Sequence, residues 1–204
     1  MEKVAIFGAT GMTGVCALDT AVKSGLKIKL LVREPAKIPE AHRDKVEFLV
    51  GDVTNLDDVK KTVKGQDGVI VVLGTRNDLN ATTALSTGLK NIVKAMKQYN
   101  VKPISVCLSA FLFYEPEKVP AIFKEINAEH KRMHDVLTAH NDLDWIAVNP
   151  PHIADQPRSE YILKHGESPG PRVISKYDLG DFLVQCLTKP EHYKKVVGIA
   201  NVPK

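Results

Sequence analysis

The stretch Val4-Ala5-Ile6-Phe7-Gly8-Ala9-Thr10-Gly11-Met12-Thr13-Gly14 decides the fold. Four apolar residues in a row read as a buried strand, and Val15 to Lys23 reads as a helix, so the glycines form a turn between the two. A glycine-rich turn opening a helix exposes backbone N–H groups where the helix dipole also favours negative charge, which makes it a seat for phosphate. Glycine permits positive φ and close approach of a pyrophosphate, and the last glycine lets helix and strand pack. In strand–turn–helix order this is the fingerprint of a dinucleotide site, with Gly8, Thr10, Gly11, Met12 and Thr13 as candidate cofactor-binding residues.

Outward from that turn, strands and helices alternate, the pattern of a parallel sheet covered by helices. Strands are expected at Lys27–Val32, Val46–Val50, Val69–Leu73, Ile104–Leu108 and Trp145–Val148, with Glu34 to Lys45 a loop or short irregular helix. Thr54 reads as the N-cap of a helix ending near Lys64, Ala81 to Tyr99 carries apolar residues at helical spacing, and an insert holds a helix from about Pro120 to His140. Asn149 to Pro171 reads as an ordered loop over the site, Ser175 opens a last helix to Leu187, and Val196 to Ala200 reads as an edge strand. The expectation is an α/β protein, a single Rossmann domain over 1–204 with a doubly wound parallel sheet and helices on both faces.

Composition narrows the class. A formal charge of +4 is spread along the chain rather than gathered, which gives nucleic-acid binding no footprint but suits an anionic cofactor or substrate. Cys16, Cys107 and Cys186 are odd in number and widely spaced, so neither a disulfide framework nor a metal site is expected. No apolar run approaches a membrane span of roughly 20 residues, and strand 1 begins almost at Met1, so a cytoplasmic protein without a signal peptide is expected.

In such a sheet ligands bind at the carboxyl ends of the strands. Arg33 ends strand 2, where a carboxylate would suit the NAD ribose and an arginine suits the 2′-phosphate of NADP; Glu34 follows directly, and Lys37 comes four residues after Arg33. Asp52 and Val53 follow strand 3 and can hold adenine, while Asp52 also suits a local turn. Leu73, Gly74 and Arg76 follow strand 4, with Arg76 aimed at a phosphate or an acidic substrate. Ser109 ends strand 5 beside the nicotinamide position, and Cys107 reads as a packed thiol. Pro150, Pro151, His152 and Ile153 end strand 6, where His152 serves either as a proton donor or substrate ligand or as a loop anchor. Tyr114 and Lys118 have the spacing of a dehydrogenase Tyr–Lys pair, but Pro116 interrupts the helix that pair needs. His130 and His134 are one helical turn apart without a further ligand cluster, so His130 is read as facing the cleft rather than as a metal ligand.

These segments, together with Ser109-Ala110-Phe111-Leu112, Arg132-Met133-His134, Pro150-Pro151-His152-Ile153, Asp155-Gln156-Pro157 and Arg172-Val173-Ile174-Ser175-Lys176, resemble the biliverdin-IX beta reductase and NADPH-dependent flavin reductase family of atypical short-chain dehydrogenases. The resemblance implies a monomer acting in heme catabolism with NADPH/NADP as cofactor, and no Tyr–Lys pair. It places the pyrophosphate on Thr10 to Thr13, the 2′-phosphate on Arg33 and Lys37, and adenine on Asp52 and Val53. It puts Ser109 and His152 at the reacting centre, and implies Phe111, Tyr114, His130 and Arg172 as substrate contacts. The implied reaction moves hydride to a flavin (FMN, riboflavin) or a linear tetrapyrrole. The rival from another class is a non-enzymatic NADP(H) redox sensor of the NmrA type.

Overall fold

The first strand shows how one sequence serves two helical layers. In the computed structural model, which describes residues 1–203, β1 (Lys3–Phe7) points Val4 and Ile6 to one face and Ala5 and Phe7 to the other, all buried. Side chains alternate along a strand, so a strand covered on both faces must be apolar throughout. On one side Val4 and Ile6 join Ala17, Leu18 and Ala21 of α1 (Met12–Lys23) and Leu179, Phe182 and Leu183 of α6 (Lys176–Gln185). On the other, Ala5 and Phe7 join Val59 and Val63 of α3 (Leu56–Val63), Leu89 and Ile92 of α4 (Ala84–Gln98) and Met133 and Leu137 of α5 (Lys124–Thr138). Burying each such side chain contributes about 1.5–3 kcal/mol, so both layers are needed to hold the sheet.

The sheet has eight strands in the order β3-β2-β1-β4-β5-β6-β10-β8. These are β2 (Lys27–Val32), β3 (Val46–Val50), β4 (Gly68–Val71), β5 (Pro103–Cys107), β6 (Asp144–Asn149), β8 (Tyr161–His165) and β10 (Lys195–Asn201). All pairs are parallel except β10 with β8, where Ile199 faces Leu163. The strand order reverses between β1 and β4, and that reversal opens the crevice in which ligands bind in such sheets. The short α2 (Glu40–Arg43) lies between β2 and β3, where a loop or irregular helix is expected.

Four expectations are corrected. Asn149 to Pro171 is not simply a loop: it contains β7 (His152–Ala154), which pairs in parallel with β9 (Val173–Ser175), and the whole of β8. Val196 to Ala200 is therefore not an edge, because β8 covers it. The cap of α3 is Asn55 rather than Thr54: Asn55 accepts the N–H groups of Asp57 and Asp58, while Thr54 spends its hydroxyl on Asp52. The Pro120–His140 helix is also shorter than expected, a turn at Ala121–Phe123 preceding α5.

Candidate functional site

The turn after β1 is shaped by two glycines the fold itself requires. Gly8 has φ +89°, and a Cβ there would run into the Val72 carbonyl; a Cβ on Gly14 would run into the carbonyl of Gly8. The Gly11 N–H closes the turn on that same Gly8 carbonyl at 3.1 Å. Gly11 then starts α1 without a side-chain cap, and the first turn of α1 holds no acid. Asn55 and Ser175, by contrast, use their own side chains to satisfy the N–H groups of α3 and α6. The orphan donors of α1 and its dipole are left for an outside anion.

The turn opens on a cleft of about 880 Å³ running across the carboxyl ends of the strands. Gly11 and Gly74 both line it, yet neither has positive φ, and a Cβ on either would meet no protein atom closer than ordinary contact. The fold itself does not need glycine at these two positions, which leaves bare backbone against which a dinucleotide could lie. This cradle, the uncapped helix and the basic side chain after β2 together fit a nicotinamide dinucleotide.

At one end of the cleft Arg33 leaves β2, exposed and lining the wall. Lys37 does not line it: its ammonium sits 2.5 Å from the Glu34 carboxylate, within the turn Pro35–Lys37. Asp52 lines the cleft and accepts the Thr54 N–H at 2.8 Å and hydroxyl at 2.6 Å, and these donors hold its carboxyl below the usual carboxylate range. Val53 lies beside it, and both carbonyls that follow, of Val53 and Thr54, are tied to α4 by the Asn91 side chain at 3.0 and 2.9 Å. Asn91 is thus a positioning residue that sequence reading missed. Leu73 and Arg76 line the opposite wall after β4, and Arg76 adopts φ +59°.

The middle of the cleft is built by two strand ends zipped together. The Leu108 and Ala110 N–H groups donate to the carbonyls of Val148 and Pro150 at 2.8 Å each, which fixes Ser109 against Pro150, His152 and Ile153. The Ser109 hydroxyl oxygen accepts the Phe111 N–H at 3.2 Å, so its own proton stays available for donation. His152 is exposed at the cleft edge, and its backbone N–H is held by the Arg172 carbonyl at 3.2 Å. Cys107 borders the same place, but burial pushes its thiol up to about 12, so it packs as a neutral group.

The far wall is aromatic. Phe111 stacks on Phe123 with ring centroids 5.2 Å apart, and α5 adds Ile126, Asn127 and His130. Burial pushes His130 down to about 4, against a smaller opposing pull from Glu129, so its ring is neutral near pH 7. Glu129 itself is fully buried and accepts the Ser86 N–H (2.6 Å), the Ser86 hydroxyl (3.0 Å) and the Arg132 Nε–H (2.7 Å), which locks α5 to the start of α4. Phe123, Asn127 and Glu129 were not singled out from sequence. Two expected substrate contacts lie outside the lining: Tyr114 is an exposed edge-on neighbour of Phe111, and Arg172 is exposed beside His152. The YxxxK spacing is interrupted as expected, since Pro116 opens a separate short turn. Among the described residues no group of three or more potential metal ligands occurs, and no helix is long and apolar enough to cross a membrane.

Similar folds recur among solved structures. A Rossmann-fold NAD(P)-binding family protein of Shigella flexneri is 25% identical, with a TM-score of 0.79 over 100% of this chain and 98% of its own. A provisionally named NADH-flavin reductase of Streptococcus pneumoniae is 21% identical, with a TM-score of 0.82 over 99% of this chain and 100% of its own. An oxidoreductase of Lactococcus lactis is 19% identical, with a TM-score of 0.81 over 99% of this chain and 92% of its own. At these identities the last two show a shared fold. The family model described as NAD(P)H-binding matches residues 8–190, from the first glycine of the turn to the end of the sheet's helical cover. The chain belongs to this NAD(P)H-binding family, and the cleft described above is where its nicotinamide cofactor fits.

Proposed function

We propose that this protein is an NADPH-dependent reductase that passes hydride to flavins such as FMN and riboflavin or to linear tetrapyrroles of the biliverdin type. One observation carries the reading: the cradle for the dinucleotide runs directly into an apolar wall of stacked Phe111 and Phe123, without a charged acid–base pair between them. Planar conjugated acceptors gain from such a wall by burial and stacking. Bound NADPH supplies the hydride, and the chain's own task is to place the acceptor flat against it.

The residues divide that work. The start of α1 and Arg33 hold the phosphates, with an arginine at the end of β2 favouring the 2′-phosphate. Asp52 and Val53 flank the adenine position. Ser109 keeps a proton free to hydrogen-bond a carbonyl or carboxamide oxygen, and exposed His152 stands at the edge where solvent protons enter. Neutral His130 bounds the acceptor side without adding charge. The reading takes the protein as a monomer working in the cytoplasm.

The test is NADPH oxidation followed at its near-ultraviolet absorbance, with FMN and with a biliverdin as separate acceptors. Turnover with at least one is expected. Tight NADPH binding with no turnover on either would replace this reading with a redox sensor that binds and reports without reducing.

A further inference from the structure

The side chains after β2 carry an arrangement that bears on cofactor choice and rests on the NADPH reading above. A Rossmann site that prefers NAD places a carboxylate after β2 to accept the ribose hydroxyls, and the same carboxylate would repel a 2′-phosphate. This chain has such a carboxylate, Glu34, directly after Arg33. Lys37 holds it at 2.5 Å, and neither side chain lines the cleft, so the ion pair keeps the carboxylate turned away from it. Among the described residues Arg33 and Arg76 form no ion pair, so both guanidinium groups stay available to an anion.

The turn that brings Lys37 round to Glu34 is built and anchored. Pro35 opens it, the Lys37 N–H donates to the Glu34 carbonyl at 3.0 Å, and Ile38 beyond it is 1% exposed in the core. Arg43 of α2 clamps the same turn from below, donating to the carbonyls of Ala36 (3.2 Å) and Ile38 (3.3 Å). Of the basic residues around Glu34, Lys37 is the one in hydrogen-bond contact; Arg76 and Arg33 act on it only at longer range.

We propose that Lys37 selects NADPH by masking Glu34 rather than by binding the 2′-phosphate, and that Glu34 is a latent acceptor for the ribose of NADH. The ion pair leaves Arg33 as an unopposed phosphate ligand. Removing Lys37 alone uncovers a negative charge next to the phosphate site and frees a carboxylate for the ribose diol. Removing both charges restores a neutral neighbourhood around Arg33.

Binding, rather than turnover, separates the two roles. NADPH and NADH dissociation constants are measured by titration calorimetry or nucleotide fluorescence for wild type, Lys37→Met, Glu34→Gln and the double variant. Both side chains are largely exposed, and circular dichroism confirms that each variant folds. Lys37→Met is expected to weaken NADPH roughly two- to fivefold, within the range for a charge partner at an exposed site, and to tighten NADH. The double variant is expected to regain wild-type NADPH affinity within about twofold. If NADPH affinity stays low in the double variant, Lys37 contacts the phosphate directly and the masking role is wrong while the NADPH preference stands. If wild type binds both nucleotides equally, the NADPH preference itself fails and the masking role falls with it.

Discussion

Gly8 and Gly11 stand three residues apart in one turn, yet the structure gives them different reasons to be glycine. Gly8 is required by the protein, through its φ of +89° and its contact with the Val72 backbone. Gly11 has an ordinary conformation and room for a Cβ, so the fold does not exclude a side chain there, whereas a dinucleotide held in the proposed cradle would. Gly8→Ala is therefore expected to destabilise the fold by about 2 kcal/mol or more, from strain at positive φ added to a backbone clash. Gly11→Ala is expected to leave the urea midpoint almost unchanged while weakening nucleotide binding at least tenfold. Equal loss of stability in both variants would show that the turn is uniformly strained and would remove the argument for a cradle. At the acceptor side, Ser109→Ala removes one hydrogen-bond donor from the proposed reacting centre. Activity is expected to fall by less than roughly a hundredfold, below the cost of losing a full oxyanion donor. A complete loss with NADPH binding intact would make Ser109 a proton donor rather than an orienting group.

At the scale of elements, the decisive joint is between α5 and α4, because α5 carries the acceptor wall while α4 starts beside the cleft. Glu129, buried in that joint, satisfies the backbone and hydroxyl of Ser86 and the guanidinium of Arg132, which in turn donates to the Thr82 carbonyl at 2.8 Å. Glu129→Ala orphans these donors and is expected to cost about 3 kcal/mol, read as a shift in the urea midpoint. Glu129→Gln keeps the shape and one acceptor and should cost less. This joint also shows where sequence reading reaches its limit. The strands Lys27–Val32 and Val46–Val50 were legible to the residue from short runs of β-branched and apolar residues between turn signals, although β3 lies at the sheet edge with none of its residues fully buried. The glycine turn and the strand ends holding Arg33, Asp52, Ser109 and His152 were legible because topology alone brings those ends to one crevice. β8 was not, since Tyr161–His165 owes its strand to antiparallel pairing with distant β10, and nearby Pro157, Gly166 and Pro169 signal loop. Phe123, Asn127 and Glu129 stayed hidden because their place depends on the angle at which α5 crosses the cleft, which no local pattern encodes. Thr54 and Asn55 are adjacent capping types, and only the bond from Thr54 to Asp52 decides that Asn55 caps.

For the molecule as a whole, stability falls with pH first through buried histidine. His130 sits in the acceptor wall, buried and held at about 4 against an ordinary value of 6.5, so the folded state keeps it neutral while the unfolded chain protonates it readily. A depressed histidine stabilises the fold fully above pH 6.5, and that contribution is lost as pH falls from 6.5 toward 4. A depression from 6.5 to about 4 corresponds to about 3 kcal/mol, a large part of a domain's net stability of roughly 5–15 kcal/mol. His192, pushed down by burial and by its neighbour His165 at 2.9 Å, loses stability in the same direction below the ordinary histidine value. The acids held low by donors, such as Asp52, Asp67 and Asp181, act the other way round in the proton ladder: their contributions vanish only below the ordinary carboxylate range. Urea unfolding between pH 7.5 and 5 is therefore expected to show a falling free energy dominated by histidine, with the carboxylates adding to the loss only below that range. His130→Gln should flatten most of that slope, leaving the smaller part due to His192, and should leave the pH 7.5 value within about 1 kcal/mol of wild type because a neutral polar side chain replaces a neutral ring. An unchanged slope in His130→Gln would mean that the ring is protonated and solvated in the native cleft, and the neutral acceptor wall inferred here would have to be redrawn with a cation in it.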